Sequence, residues 1–146
     1  MAACTFFGHR DSPNSVKTSL YAAIEQLICN QCVDTFCVGT QGSFDRMVYA
    51  ALVELRQRYS HINVYRVLAY MPRLSDIAQD RSVLDDTILP EGIENAHPRY
   101  AIIKRNKWMI DRSDYVIAYV THTFGGAYQA VERAKKKGKT IIAISR

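Results

Sequence analysis

The feature that most constrains this chain is an alternation between two kinds of segment. Short runs that are apolar at nearly every position are separated by longer stretches whose apolar residues recur every three or four positions. The runs are Cys4-Thr5-Phe6-Phe7, Thr35-Phe36-Cys37-Val38, about Ile62 to Tyr70, Tyr115-Val116-Ile117-Ala118-Tyr119-Val120 and Thr140-Ile141-Ile142-Ala143-Ile144. A strand wetted on one face alternates apolar with polar residues, so an uninterrupted run reads as a strand covered on both faces of a parallel sheet. Between the runs, helical spacing holds Val16, Leu20, Ala23, Ile24, Leu27 and Ile28 on one stripe, and Phe44, Met47, Val48, Ala51, Leu52 and Leu55 on another. Ser12-Pro13-Asn14-Ser15 offers a start for the first helix and Ser43 a cap for the second. A third helix is expected from near Tyr100 through Trp108 and Met109 to about Arg112. A fourth opens at Gly125-Gly126, buries Ala127, Ala130, Val131 and Ala134, and ends at Gly138. Right-handed crossovers fold such a chain into a three-layer α/β sandwich around a mainly parallel, five-stranded sheet. The least regular stretch, 73–99, contains Pro90, Gly92 and Pro98 and reads as a long loop of the kind that forms lids.

A chain of 146 residues fits one domain spanning 1–146 and can bury a core without disulfide or metal staples. The net charge of +5 permits an anionic partner. Its densest run, Lys135-Lys136-Lys137-Gly138-Lys139, falls at a helix end, where cations complement the helix dipole, and the arginines are scattered. That distribution favours a small phosphorylated ligand over extended nucleic acid. The amino-terminal residues lack a signal-peptide pattern and no run approaches the ~20 apolar residues of a membrane span, so a cytoplasmic protein without membrane contact is expected. Cys29-Asn30-Gln31-Cys32 has the spacing of a metal knuckle or redox pair, but stands alone and at a helix end, not at a helix start where thiols are acidified. Cys4 and Cys37 read as small hydrophobes in strands. Neither a metal nor a cofactor is expected.

In open parallel sheets a ligand sits beyond the carboxyl ends of the strands, where the strand order reverses. Three loops occupy that edge: Gly8-His9-Arg10, Gly39-Thr40-Gln41-Gly42-Ser43-Phe44-Asp45, and Thr121-His122-Thr123-Phe124-Gly125-Gly126. Glycine admits an anion close to backbone N–H groups, and a helix amino terminus adds favourable partial charge. Neither glycine loop is a P-loop or a GxGxxG fingerprint, and either alone reads equally well as a turn. Two at equivalent topological positions point to a phosphate and ribose cradle. Its candidate ligand-binding residues are Gly8, His9, Arg10, Gly39, Thr40, Gly42, Ser43, Asp45, Thr121, Thr123, Gly125 and Gly126. Arg10 reads as an anion clamp and His9 as a donor or proton carrier. Asp45 reads either as a dipole-complementing residue or as an acceptor for ribose hydroxyls.

Gly8-His9-Arg10, Gly39-x-x-Gly42-x-x-Asp45 and Lys104-Arg105-Asn106-Lys107-Trp108-Met109-Ile110-Asp111, followed by Ser113-Asp114, together resemble the SLOG superfamily. It groups the DNA-processing SMF/DprA proteins with the LOG cytokinin-activating enzymes, and the chain is most similar to the small stand-alone YpsA-like branch over nearly its whole length. The resemblance implies a Rossmann-like fold holding a nucleotide-derived ligand, with Arg105 and Asn106 opening a helix beside it and Trp108 packing next to them. LOG enzymes carry PGGxGTxxE. Here the segment is Phe124-Gly125-Gly126-Ala127-Tyr128-Gln129-Ala130-Val131-Glu132, which keeps the glycine pair and the glutamate but has Phe124, Tyr128 and Gln129 for Pro, Gly and Thr. The departures favour binding over hydrolysis. The expected function is recognition of a nucleotide or nucleotide-derived signalling ligand, ADP-ribose-like or a cyclic nucleotide, by a sensor or sequestering protein. One alternative is a LOG-like nucleoside 5′-monophosphate phosphoribohydrolase with Arg105 and Glu132 catalytic. A second is single-stranded DNA binding, which the lack of a basic stripe with interleaved aromatics disfavours. Family likeness also implies a homodimer or higher homo-oligomer.

Overall fold

In the computed structural model, which describes residues 2–70 and 86–145, the alternation resolves into ten strands and α-helices among those residues. They are β1 (Ala2–Gly8), α1 (Lys17–Asn30), β2 (Val33–Val38), α2 (Gly42–Arg58), β3 (Asn63–Val67), β4 (Thr87–Ile88), α3 (Pro98–Asp111), β5 (Tyr115–Tyr119), α4 (Gly126–Lys136) and β6 (Thr140–Ala143). The strands form one sheet in the order β4-β3-β2-β1-β5-β6, and every neighbouring pair is parallel. Successive residues face opposite layers. Cys4, Phe6, Phe36, Val38 and Ile117 meet Leu20, Ile24, Leu52 and Leu55 of α1 and α2. Phe7, Cys37, Val116 and Ala118 meet Met109 and Ile110 of α3 and Ala130, Val131 and Ala134 of α4. Two apolar cores on two faces explain why the strand runs lack alternation.

The sheet has six strands where five were expected. The sixth, β4, is two residues long and attaches beside β3 through Arg66 N–H to Asp86 O at 2.6 Å and Leu68 N–H to Ile88 O at 2.8 Å. A pair of residues carries no periodicity, so only pairing reveals it. β3 stops at Val67, short of Tyr70. Of the expected 73–99 loop, 73–85 lie outside the described residues. The remainder holds β4, a 3-10 turn at Ile93–Asn95 and the start of α3 at Pro98, a residue suited to the first helical position because its missing N–H would be unpaired there.

All four cysteines are free. Cys4 and Cys37 are buried; burial pushes the Cys37 thiol up to about 11 and that of Cys4 further. Cys29 and Cys32 are exposed. Trp108 packs half-buried against the α3–α4 core, with the Arg112 guanidinium 4.1 Å from its ring centroid. No helix among the described residues is long and apolar enough to cross a membrane. The strand order runs outward from β1 through β2 and β3 on one side and through β5 and β6 on the other. The reversal between β1 and β5 selects the edge where a ligand belongs.

Candidate functional site

A cleft of about 170 Å³ opens at that edge. Gly8, His9 and Arg10 from the end of β1, Gly39 from the β2–α2 turn, Asp45 from the first turn of α2, Arg105 and Asn106 from α3, and Gly126 from α4 line it, over an apolar floor that includes Phe7 and Met109. Thr40, Gly42, Ser43, Thr121, Thr123, Gly125 and Glu132 are not part of that lining.

Several of these outlying residues build the walls. Gly42 has φ +91°, and a Cβ there would lie 2.8 Å from the Arg10 Cα, so glycine is required on both counts. Directly after it, Ser43 N–H donates to Arg10 O at 2.7 Å, and its Oγ lies 2.7 Å from Arg10 O and 3.0 Å from Ser12 O. Ser43 therefore does not cap α2, whose N-cap is Gln41 without a side-chain cap bond; it stitches the β1 loop to the start of α2. Gly8 is needed for a different reason. A Cβ there would lie 2.3 Å from the ring of the fully buried Phe44, which wedges α2 under the end of β1.

At the centre, Asp45 and Arg105 converge over Gly39. A Cβ on Gly39 would sit 2.8 Å from Arg105 Nη1 and 2.8 Å from Asp45 Oδ2. Asp45 Oδ2 accepts the Gln41 backbone N–H at 2.9 Å, so the carboxylate also secures the first turn of α2. Burial pushes the Asp45 carboxyl above its usual range, while the Gln41 N–H and the Arg105 and Arg10 guanidiniums pull it back. Arg105 is only 4% exposed. Its Nε donates to Asn106 Oδ1 at 3.2 Å, but its Nη1 is buried without a partner. Burial lowers the Arg105 pKa and Asp45 opposes that shift. A buried guanidinium with an unpartnered Nη1 is costly unless an acceptor completes it.

The third wall is aromatic. His9 Nε2 accepts the Thr121 backbone N–H at 2.8 Å, which places the proton of the neutral ring on Nδ1. The His9 ring stacks on His122, with centroids 3.8 Å apart, and His122 stacks on Phe124 at 3.9 Å. His122 Nδ1 lies 3.0 Å from Phe124 O and donates to it, since a carbonyl only accepts. Gly125 then turns the chain at φ +93° into α4, whose N-cap makes no side-chain bond, and nothing lies within 4 Å of a Cβ built on Gly126. The first turn of α4 is open to an anion. Thr123 is exposed. Glu132 lies on α4 with its Oε1 3.4 Å from Lys135 Nζ and its side chain 40% exposed.

This wall carries a pH dependence. Burial, and then the neighbouring His122, hold the His9 pKa below its usual value. The unfolded chain therefore binds more protons between the two pKa values, so stability is full above about pH 6.5 and falls as pH drops toward the folded pKa. We expect the melting temperature to decline from pH 6.5 downward, and His9→Gln to flatten that decline. An identical slope in both proteins would remove His9 from the account.

Gln41 was absent from the expected set although it borders the cleft, and its Oε1 lies 3.4 Å from Arg10 Nη2. Its role is mainly through the backbone, which leaves no side-chain signal. Beyond Gly39 and Asp45 a second cavity of about 240 Å³ is lined by Thr40, Arg46, Tyr49 and Arg66, the last with its guanidinium 4.5 Å from the Tyr49 ring centroid.

Fold and cleft together define a Rossmann-like α/β domain with a crevice, lined by Arg10 and Arg105, at its switch point. Among solved structures it is similar to DNA processing protein A (DprA) from Streptococcus pneumoniae, with a TM-score of 0.71, 16% sequence identity and 98% of this chain covered. The chain spans 50% of the length of that structure. At this identity the likeness establishes the fold, which agrees with the SLOG resemblance of the sequence motifs. No protein-family model and no curated protein matches the chain.

Proposed function

We propose that the cleft binds a nucleotide or nucleotide-derived signalling ligand, and that the protein acts as its sensor or sequestering agent. The observation that carries this reading is Arg105, buried in the cleft wall with Nη1 unpartnered beside Asp45. A phosphate oxygen completes the guanidinium fork, a ribose hydroxyl suits the Asp45 carboxylate, and the uncapped start of α4 receives further anionic oxygens. Glu132 favours binding over hydrolysis, because it is half-exposed, engaged with Lys135 and outside the cleft lining. Calorimetric titration with adenosine 5′-monophosphate, ADP-ribose and cyclic AMP, with inorganic phosphate as control, tests the proposal. Saturable binding of at least one riboside above the phosphate control is expected, and none from any of them overturns it. Release of free base that disappears in Glu132→Ala would establish the phosphoribohydrolase instead.

A second reading comes from the structural neighbour, a DNA processing protein. Single-stranded DNA binding would draw on the net charge of +5 and on the basic end of α4, where Lys135 and Lys137 are already paired with Glu132 and Asp111. That reading requires affinity to fall steeply with salt, and a flat response excludes it.

A further inference from the structure

We propose that Phe124 is the nucleobase platform of the cleft, so that the ligand is an aromatic nucleotide whose base extends a ring stack already present in the protein. The inference rests on the nucleotide-binding reading and adds where the base lies and what holds it.

Three planar rings, His9, His122 and Phe124, follow one another at centroid spacings of 3.8 Å and 3.9 Å with interplanar angles of 17° and 21°. His9 is one end of this series and borders the cleft. Phe124 is the other end, and it is 68% exposed, the largest exposure among the described large hydrophobic residues that lie outside the core. One face of its ring is covered by His122, so the exposure belongs to the opposite face and the edges. The ring is also held: the series is pinned at His9 by the Thr121 N–H and at His122 by the bond from Nδ1 to Phe124 O. A rigid, half-covered ring offers stacking at little ordering cost, and any base can use it because every base has a π-face.

The position relative to the anion groups fits one ligand. Phe124 precedes Gly125 and Gly126, and the open first turn of α4 begins at Gly126, which borders the cleft that holds Arg105. Phe124 is not itself part of the cleft lining, but its Cα is only two steps of at most about 3.8 Å from that of Gly126, which is, a reach comparable with that from a base to its 5′-phosphate. The base therefore lies at the mouth, on the open face of Phe124, and the phosphate deeper, toward Gly126 and Arg105 Nη1.

The experiment compares wild type, Phe124→Ala and Phe124→Trp for binding of adenosine 5′-monophosphate and of ribose 5-phosphate, the same ligand without its base. Stacking of one base on an aromatic residue predicts that Phe124→Ala loses at least about fivefold in affinity for the monophosphate and leaves ribose 5-phosphate unchanged. Phe124→Trp retains the monophosphate, which quenches the introduced indole beyond any change seen at Trp108 in wild type. Equal monophosphate affinity in wild type and Phe124→Ala overturns the platform while leaving the nucleotide reading intact. Equal loss of both ligands also overturns it, since Phe124 would then shape the phosphate site alone. Wild type that binds neither of these ligands, nor ADP-ribose, nor cyclic AMP overturns both readings. Quenching by single-stranded oligodeoxyadenylate but not by the monophosphate assigns the platform to a strand and rejects the mononucleotide.

Discussion

Arg105→Met should remove most of the ligand affinity of the cleft while leaving the melting temperature unchanged or slightly raised. A hydrogen bond to a charged group contributes about 1.5–3 kcal/mol, so loss of the bond from Nη1 predicts a weakening of roughly 10- to 150-fold for adenosine 5′-monophosphate. The opposite sign expected for stability comes from the free protein. There the guanidinium is 4% exposed, its Nη1 has no partner, and its one described side-chain bond runs to Asn106 on its own helix. Methionine keeps the aliphatic volume and removes a buried, incompletely satisfied charge; Asp45 loses the attraction of that charge, but burial already favours its neutral form, so protonation of Asp45 offsets the loss. Asp45 keeps its bond from Gln41 N–H, so the first turn of α2 is not released. Calorimetry and thermal melts on the same preparation check the pair of effects. A parallel drop in affinity and melting temperature would mean that Arg105 is structural, and unchanged affinity would place the ligand elsewhere.

The second large effect is expected at Gly42, where substitution should damage fold and cleft together. Its φ of +91° is a conformation that side chains rarely adopt, and the Cβ would approach the Arg10 Cα to 2.8 Å, against backbone that cannot swing away as a side chain could. Left-handed strain of roughly 1–2 kcal/mol and overpacking of roughly 1–3 kcal/mol predict about 2–5 kcal/mol of destabilisation in Gly42→Ala. For a domain of 146 residues this lowers the melting temperature by about 10 °C. The mutation also pushes apart the β1 loop and the start of α2, which Ser43 holds through Arg10 O, so affinity falls as well. Gly126→Ala is the internal control, because nothing lies within 4 Å of a Cβ there and stability should hold. Equal melting temperatures for Gly42→Ala and wild type would contradict the packing argument.

Much of the architecture was legible before any coordinates. A strand such as Tyr115–Tyr119 declares itself by being apolar at every position, because residues on both faces meet helices, and α2 declares itself by Phe44, Met47, Val48, Leu52 and Leu55 recurring at helical spacing. Such periodicities are local consequences of backbone geometry, so sequence alone exposes them. The topological rule then selected the loops at Gly8, Gly39 and Gly125 without any knowledge of side-chain positions. β4 escaped because two residues between turns have no period to read, and Ser43 was misassigned because a serine before a helical stripe fits a cap equally well.

The same division runs through the site on which the sequence reading centred. Sequence by itself determined the layers, the parallel sheet, the edge that carries the glycine loops and the residue types available there. Only the tertiary structure decided that Asp45 and Arg105, from opposite layers, close over Gly39, that Arg105 is left one donor short, and that His9, His122 and Phe124 stand in one stack. Those contacts join residues far apart in the chain, and their geometry depends on how α2 and α3 pack against opposite faces of the sheet. Local propensity is blind to that packing, because it reports which element a residue joins and not what the residue meets across the fold.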